Sequence, residues 1–132
     1  MGRKKIFLVD DDLIFRTAAT VLIQQNIPGY EIVHFENGLE VYEKLITLAE
    51  TMEYLPELMF LDINMPVMNG WELLEDLKTS PPQIVQQMRI HILTSSIAPE
   101  DMNLSKSYNF INGYITKPLT ERDLQIVCES LE

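Results

Sequence analysis

The chain has 132 residues, 46% hydrophobic and 23% charged, which bounds it as one globular domain long enough to bury a core. Acids outnumber bases 20 to 10, a formal charge of −10, which argues against a nucleic-acid surface of clustered Lys and Arg and disfavours binding to an anionic membrane. Cys128 is the single cysteine, so no internal disulfide can form, and without a secretory or membrane-spanning segment the chain reads as cytoplasmic.

Short apolar runs alternate with longer amphipathic segments. "KIFLV" (5–9) predicts a buried strand and "LIFRTAATVLIQQ" (13–25) a helix closed by "NIPG". "YEIVHF" (30–35) is the second strand, "ENG" (36–38) a turn, and "LEVYEKLITLAETM" (39–52) the second helix. "ELMFLD" (57–62) is the third strand and "INMPVMNG" (63–70) a loop. "WELLEDLKT" (71–79) is a short helix stopped by Pro81 and Pro82, and 80–88 either extends it or forms a surface loop. "RIHIL" (89–93) is the fourth strand, and "APEDMNLSKSY" (98–108) a weak helix with Pro99 near its start. "GYI" (113–115) is a fifth strand, and "TERDLQIVCESL" (120–131) the last helix, with Thr120 as N-cap and Cys128 as a small buried apolar residue. Five strands alternating with five helices give an α/β chain with a parallel sheet covered on both faces.

In such a sheet, ligands bind beyond the carboxyl ends of the strands. The first strand ends at Asp10-Asp11, the third at Asp62 and the fourth at Thr94-Ser95-Ser96, while the fifth leads to Lys117-Pro118. Adjacent carboxylates repel one another unless something positive sits among them. Asp10, Asp11 and Asp62 can share a divalent cation, and hard oxygen ligands suit Mg²⁺. Lys117 adds a second positive charge and Thr94 a hydroxyl. Such a set suits phosphoryl transfer, with a carboxylate such as Asp62 as the nucleophile. Taken singly, each residue has a plainer reading: a solvated helix start for Asp10-Asp11, a turn cap for Asp62, a backbone-bonded hydroxyl for Thr94, a surface lysine for Lys117. Their joint placement on strand ends favours the functional one.

Four motifs occur in one order: "FLVDD" (7–11), "LDINMPVMNG" (61–70), "ILTSS" (92–96) and "GYITKPL" (113–119). With them the chain, from about Lys4 to Leu131, resembles the receiver domains of two-component response regulators. The resemblance implies a doubly wound five-stranded parallel sheet in the flavodoxin-like order 2-1-3-4-5. It implies that Asp62 accepts a phosphoryl group, that Asp10, Asp11 and Asp62 hold Mg²⁺ with the backbone carbonyl of Asn64, and that no other cofactor is bound. Thr94 would hydrogen-bond the phosphoryl oxygens, Lys117 would pair with them, and the Lys117-Pro118 bond would be cis. Tyr114 would be the aromatic switch whose rotamer follows Thr94. Its plainer reading is partly buried packing on an edge strand.

The acid triplet leaves a register choice. Pairing Asp10 with Asp11 puts Arg16 where the family often has an arginine and leaves Asp12 near a helix N-terminus, where negative charge is favourable; it is preferred to pairing Asp11 with Asp12. Ser95 departs from the small Ala or Gly usual at its position. Asn64 and Ser96 lie where the family tunes the phosphate's lifetime. His34 and His91 lack partners at metal-ligand spacing and read as structural, as does Trp71.

The function implied is a phosphorylation-dependent switch. A histidine kinase or histidine phosphotransfer protein would supply the phosphoryl group. The fourth helix, fifth strand and fifth helix would present a protein-binding face. Residues 1–132 are expected to be a single receiver domain without an output domain, a stand-alone regulator or phosphorelay intermediate that catalyses only its own phosphorylation and dephosphorylation. The alternative is the receiver fragment of a longer regulator. An aspartate-nucleophile phosphatase needs a general acid two residues after the nucleophile, where this chain has Asn64. A flavodoxin-type site needs a phosphate-cradling loop where this chain has three acids. A degenerate receiver would lack chemical residues that are all present here.

Overall fold

The computed structural model describes residues 4–131. Five strands run β1 (Lys5–Val9), β2 (Glu31–Phe35), β3 (Leu58–Leu61), β4 (Arg89–Thr94) and β5 (Ile111–Thr116). Six helices join them: α1 (Leu13–Asn26), α2 (Gly38–Glu50), α3 (Gly70–Lys78), α4 (Gln83–Gln87), α5 (Pro99–Ser105) and α6 (Glu121–Ser130). All strand pairs are parallel and the order is β2-β1-β3-β4-β5, as the resemblance implies. Among the described residues no helix is long and apolar enough to cross a membrane.

The expected five helices are corrected to six, because the undecided stretch 80–88 contains α4. Pro81 and Pro82 end α3, yet Pro82 itself has helical φ, −58°. Ile84 and Met88 then bury their side chains in the core, which holds a single turn that local propensity alone would not.

The central strands are apolar on both sides because both sides are covered. Phe7, Val9, Met59, Leu61, Ile90 and Ile92 face one core, packed by Val41 and Leu45 of α2, Leu73 and Leu77 of α3, and Ile84 of α4. Ile6, Leu8, Leu58, Phe60 and Leu93 face the other, packed by Ala19 and Ile23 of α1 and Leu124 and Val127 of α6. Cys128 is half-buried beside this second core rather than within it.

β5 is longer than its sequence pattern. The β4–β5 register jumps between Ile90 and His91, leaving Asn112 as a bulge. The Asn112 side chain accepts from the Ile90 N–H at 2.9 Å, replacing the ladder bond lost there. The next residue must be small: a Cβ on Gly113 would lie 2.6 Å from Nδ1 of His91.

Side-chain caps set the helix starts. Asp12 accepts from the N–H groups of Ile14 and Phe15, and Asn37 from that of Glu40. Capping boxes pair Asn69 with Glu72 and Thr120 with Asp123.

Candidate functional site

The carboxyl ends of β1, β3, β4 and β5 open onto one edge. β1 leads one way to β2 and β3 returns on its other side, so the edge between β1 and β3 is where strand order reverses. Asp10 follows β1 and Asp62 follows β3, both buried, and Asp11 beside them is exposed. One carboxylate oxygen from each lies within 4.8 Å of the others. The backbone holds the pair in place: Asp62 N–H donates to the Val9 carbonyl at 3.0 Å and Asp10 N–H to the Phe35 carbonyl at 3.0 Å.

Lys117 reaches across from the end of β5. Its Nζ lies 2.7 Å from Oδ2 of Asp10 and 3.4 Å from Oδ2 of Asp62. The peptide bond to Pro118 is cis, and Lys117 N–H donates to the Thr94 carbonyl at 2.8 Å, which ties the lysine's strand end to that of β4. The ring of Phe15, 4.1 Å from Nζ, covers its other side.

Burial and the neighbouring charge of Asp10 raise the Asp62 pKa above the ordinary carboxylate value, against the pull of Lys117, the Ile63 N–H and the Thr94 hydroxyl. Burial works against the charged form of Lys117, but its bond to Asp10 and the two carboxylate charges outweigh it and raise its pKa. Asp62 thus remains under-compensated with Lys117 in place. Three carboxylates against one ammonium fit a divalent, oxygen-preferring cation, and Asp10, Asp11 and Asp62 are the side chains able to hold it. Asp12 takes no part in that set, because its carboxylate caps α1. Asn64 is exposed in the loop beyond Asp62.

That loop is shaped around Asp62. A Cβ on Gly70 would lie 2.6 Å from the Asp62 carbonyl oxygen, so glycine lets α3 start directly against the backbone of Asp62. Val67 carries φ +68° and is 74% exposed, an unfavourable conformation for a β-branched residue with no packing to offset it. Val67→Gly is expected to raise stability by up to about 1 kcal/mol, because glycine adopts positive φ without a Cβ clash. Chemical denaturation of the two proteins measures it, and an unchanged midpoint would show that the loop carries no such strain.

Thr94 is fully buried at the end of β4, and its Oγ1 accepts from the Ser96 N–H at 3.3 Å. Tyr114 is half-buried, and its hydroxyl donates to the Ser96 carbonyl at 2.8 Å. The structure therefore brings Asp10, Asp11, Asp62, Thr94 and Lys117 together, and it joins Tyr114 to the loop after Thr94 rather than to the acids.

Two sets of contacts around the site were not legible in the sequence. Ser96 Oγ donates to Asp101 at 2.5 Å and Trp71 Nε1 donates to the same carboxylate at 3.2 Å, linking the β4–α5 loop to α3. Trp71 also stacks on Tyr108, so its packing role holds. Arg16 is buried and its Nη1 donates to the carbonyl of Asp10. Its spacing from the acid pair was the only sequence signal for that contact.

Comparison with known proteins follows the same lines. The family profile of the response regulator receiver domain matches residues 6–129. The chemotaxis protein CheY of Bacillus subtilis is 30% identical over 129 residues, 96% of this chain and 97% of that protein. A protein-glutamate methylesterase/protein-glutamine glutaminase of Desulfotalea psychrophila is 37% identical over 81 residues, 61% of this chain. That match spans only 21% of the methylesterase's own length. A crystal structure of a two component response regulator from Cytophaga hutchinsonii superposes with a TM-score of 0.86 at 28% identity, over 96% of this chain and 95% of that one.

Proposed function

The chain belongs to the response regulator receiver family, and from that premise we propose that it is a cytoplasmic signalling switch phosphorylated on Asp62. The observation that carries this reading is Lys117 bridging Asp10 and Asp62 beside the buried Thr94 hydroxyl. The donor is a histidine kinase or histidine phosphotransfer protein. A carboxylate oxygen of Asp62 attacks the donor's phosphorus, an O–P bond forms, and the N–P bond breaks with its electron pair returning to the imidazole nitrogen.

Asp10, Asp11 and Asp62, with the carbonyl of Asn64, would hold Mg²⁺. When bound, it supplies the positive charge that offsets the phosphoryl oxygens. Lys117 pairs with those oxygens from the β5 side. Phosphorylation adds about −1.5 to −2 charge at Asp62 and draws the Thr94 hydroxyl towards it. Thr94 accepts from the Ser96 N–H and the Ser96 carbonyl accepts from Tyr114, so this movement disturbs the bond that places the tyrosine. The switch then shifts populations of α5, β5 and α6, the fourth and fifth predicted helices with the strand between them. Met102 and Leu104 on α5 and Ile126 on α6 are already exposed there, which supports protein binding by that face.

We read residues 1–132 as one receiver domain acting by protein binding or phosphoryl relay. Its chemistry is confined to its own phosphorylation and dephosphorylation. Intact mass after incubation with acetyl phosphate, with and without Mg²⁺, tests the reading. A Mg²⁺-dependent gain of one phosphoryl group is expected. No gain in folded protein, from acetyl phosphate and from a phosphorylated phosphotransfer protein alike, would overturn it.

A further inference from the structure

Both backbone polar groups of Asp10 are held, one by β2 and one by α1. Its N–H donates to the carbonyl of Phe35, the last residue of that strand. Its carbonyl accepts from Nη1 of Arg16, the only charged residue on α1. Arg16 is buried, and a buried guanidinium must be oriented by its remaining donors.

One of those donors is committed to a histidine. Arg16 Nε donates to Nδ1 of His34 at 3.2 Å. A guanidinium cannot accept, so Nδ1 must be the unprotonated nitrogen and Nε2 must carry the hydrogen. Nε2 lies 3.1 Å from Oγ1 of Thr20, and that hydroxyl donates at 2.8 Å to the carbonyl of Arg16 itself. The ring thus holds Arg16 through its side chain and, by way of Thr20, through its backbone. Among the described residues, the charge paired with Arg16 is Glu36, whose carboxylate lies 3.8 Å from Nη2 at an exposed position.

We infer that neutral His34 is a positioning residue for the acid site, holding Arg16 so that Arg16 fixes the turn presenting Asp10 and Asp11. The inference rests on the functional reading above, in which those aspartates bind Mg²⁺, and it gives that site a dependence on pH. A protonated His34 has no lone pair for Arg16 Nε and sets a second cation beside it. His34 is an exposed residue of β2, and its partial desolvation and the charge of Arg16 both lower its pKa from the ordinary 6.5, so the neutral form is kept at neutral pH and lost only at more acidic pH.

The test is Mg²⁺ titration by calorimetry on wild type, His34→Gln and His34→Leu at pH 7.5 and 5.5, with thermal unfolding to show that each is folded and acetyl phosphate labelling in parallel. Gln can accept from Arg16 and donate to Thr20, so His34→Gln should bind near wild type at pH 7.5. His34→Leu should bind roughly three- to tenfold more weakly, the range for the net worth of one ordinary hydrogen bond. Between pH 7.5 and 5.5 wild type should lose more affinity than His34→Gln, a difference that a purely structural histidine would not give. Should His34→Leu fail to fold, this comparison of pH profiles decides the matter alone. Equal affinities and equal pH profiles in all folded proteins would overturn the inference while leaving the functional reading intact. A folded wild type that binds no Mg²⁺ overturns both.

Discussion

Asp62→Asn is expected to abolish phosphorylation and, in metal-free buffer, to make the protein more stable than wild type. The amide has no carboxylate oxygen to form an acyl phosphate, so no mass gain should follow acetyl phosphate and Mg²⁺. The stability gain has a separate origin. Asp62 is buried within 4.8 Å of two other carboxylates, and burial and Asp10 together raise its pKa. Removing that charge removes a repulsion that Lys117, 3.4 Å away, only partly offsets. Lys117 keeps its 2.7 Å partner in Asp10, and the oxygen of the substituted amide can still accept from Ile63 N–H, as Oδ1 of Asp62 does. A gain of about 1 kcal/mol corresponds to a rise of about 3–5 °C in Tm for a domain of this size. Millimolar Mg²⁺ should reverse the order, because a ligand that binds only the folded state stabilises wild type by mass action. Thermal melts of both proteins with and without Mg²⁺ measure this. A variant less stable than wild type in metal-free buffer would refute the electrostatic account, and a variant still phosphorylated would place the acceptor elsewhere.

Acidification between pH 6.5 and 4 is expected to destabilise the fold through His91. Its ring is 6% exposed, tilted against Phe60 and roofed by Gly113. Among the described residues, Nε2 of His91 is the one buried side-chain polar atom with no hydrogen-bond partner. Burial, with a smaller contribution from the charge of Arg89, lowers its pKa from 6.5 to about 4. The unfolded chain therefore takes up a proton near pH 6.5 while the folded chain resists until about pH 4. Stability falls with pH across that window, at about 1.4 kcal/mol per unit, to a total of about 3 kcal/mol. Asp62 acts in the opposite sense, because a raised carboxylate pKa makes the folded state the better proton binder. His91→Leu should flatten the acid limb and leave neutral-pH stability unchanged or raised, since it also removes the unpartnered nitrogen. Denaturant melts at pH 7, 5.5 and 4.5 decide this. An identical acid limb in wild type and variant would mean that another group carries it.

The placement of polar groups at the strand ends was readable because it depends on local pattern. Apolar runs of four or five residues end in Asp10, Asp62 and Thr94, and a parallel sheet brings those ends to one edge whatever its details. Capping was legible at Thr120 for the same reason: it acts on an N–H group three residues on. His91 read correctly as structural, yet its unpartnered nitrogen could not be read from "RIHIL", because it depends on Phe60, Gly113 and the cover of α6. His34 read as structural too, and only its contact with Arg16, 18 residues away, gives it a further role.

By itself the sequence determined the alternation of strands and helices, the burial of the central strands and the gathering of acids, hydroxyl and lysine at one edge. Periodicity and capping act between near neighbours, so composition and spacing encode them directly. Tertiary structure decided the single turn of α4, the bulge at Asn112 and the hold of Arg16 on Asp10. It also placed Lys117 against an aspartate 107 residues earlier. Each of these depends on which distant groups packing brings into contact, and no local pattern specifies that.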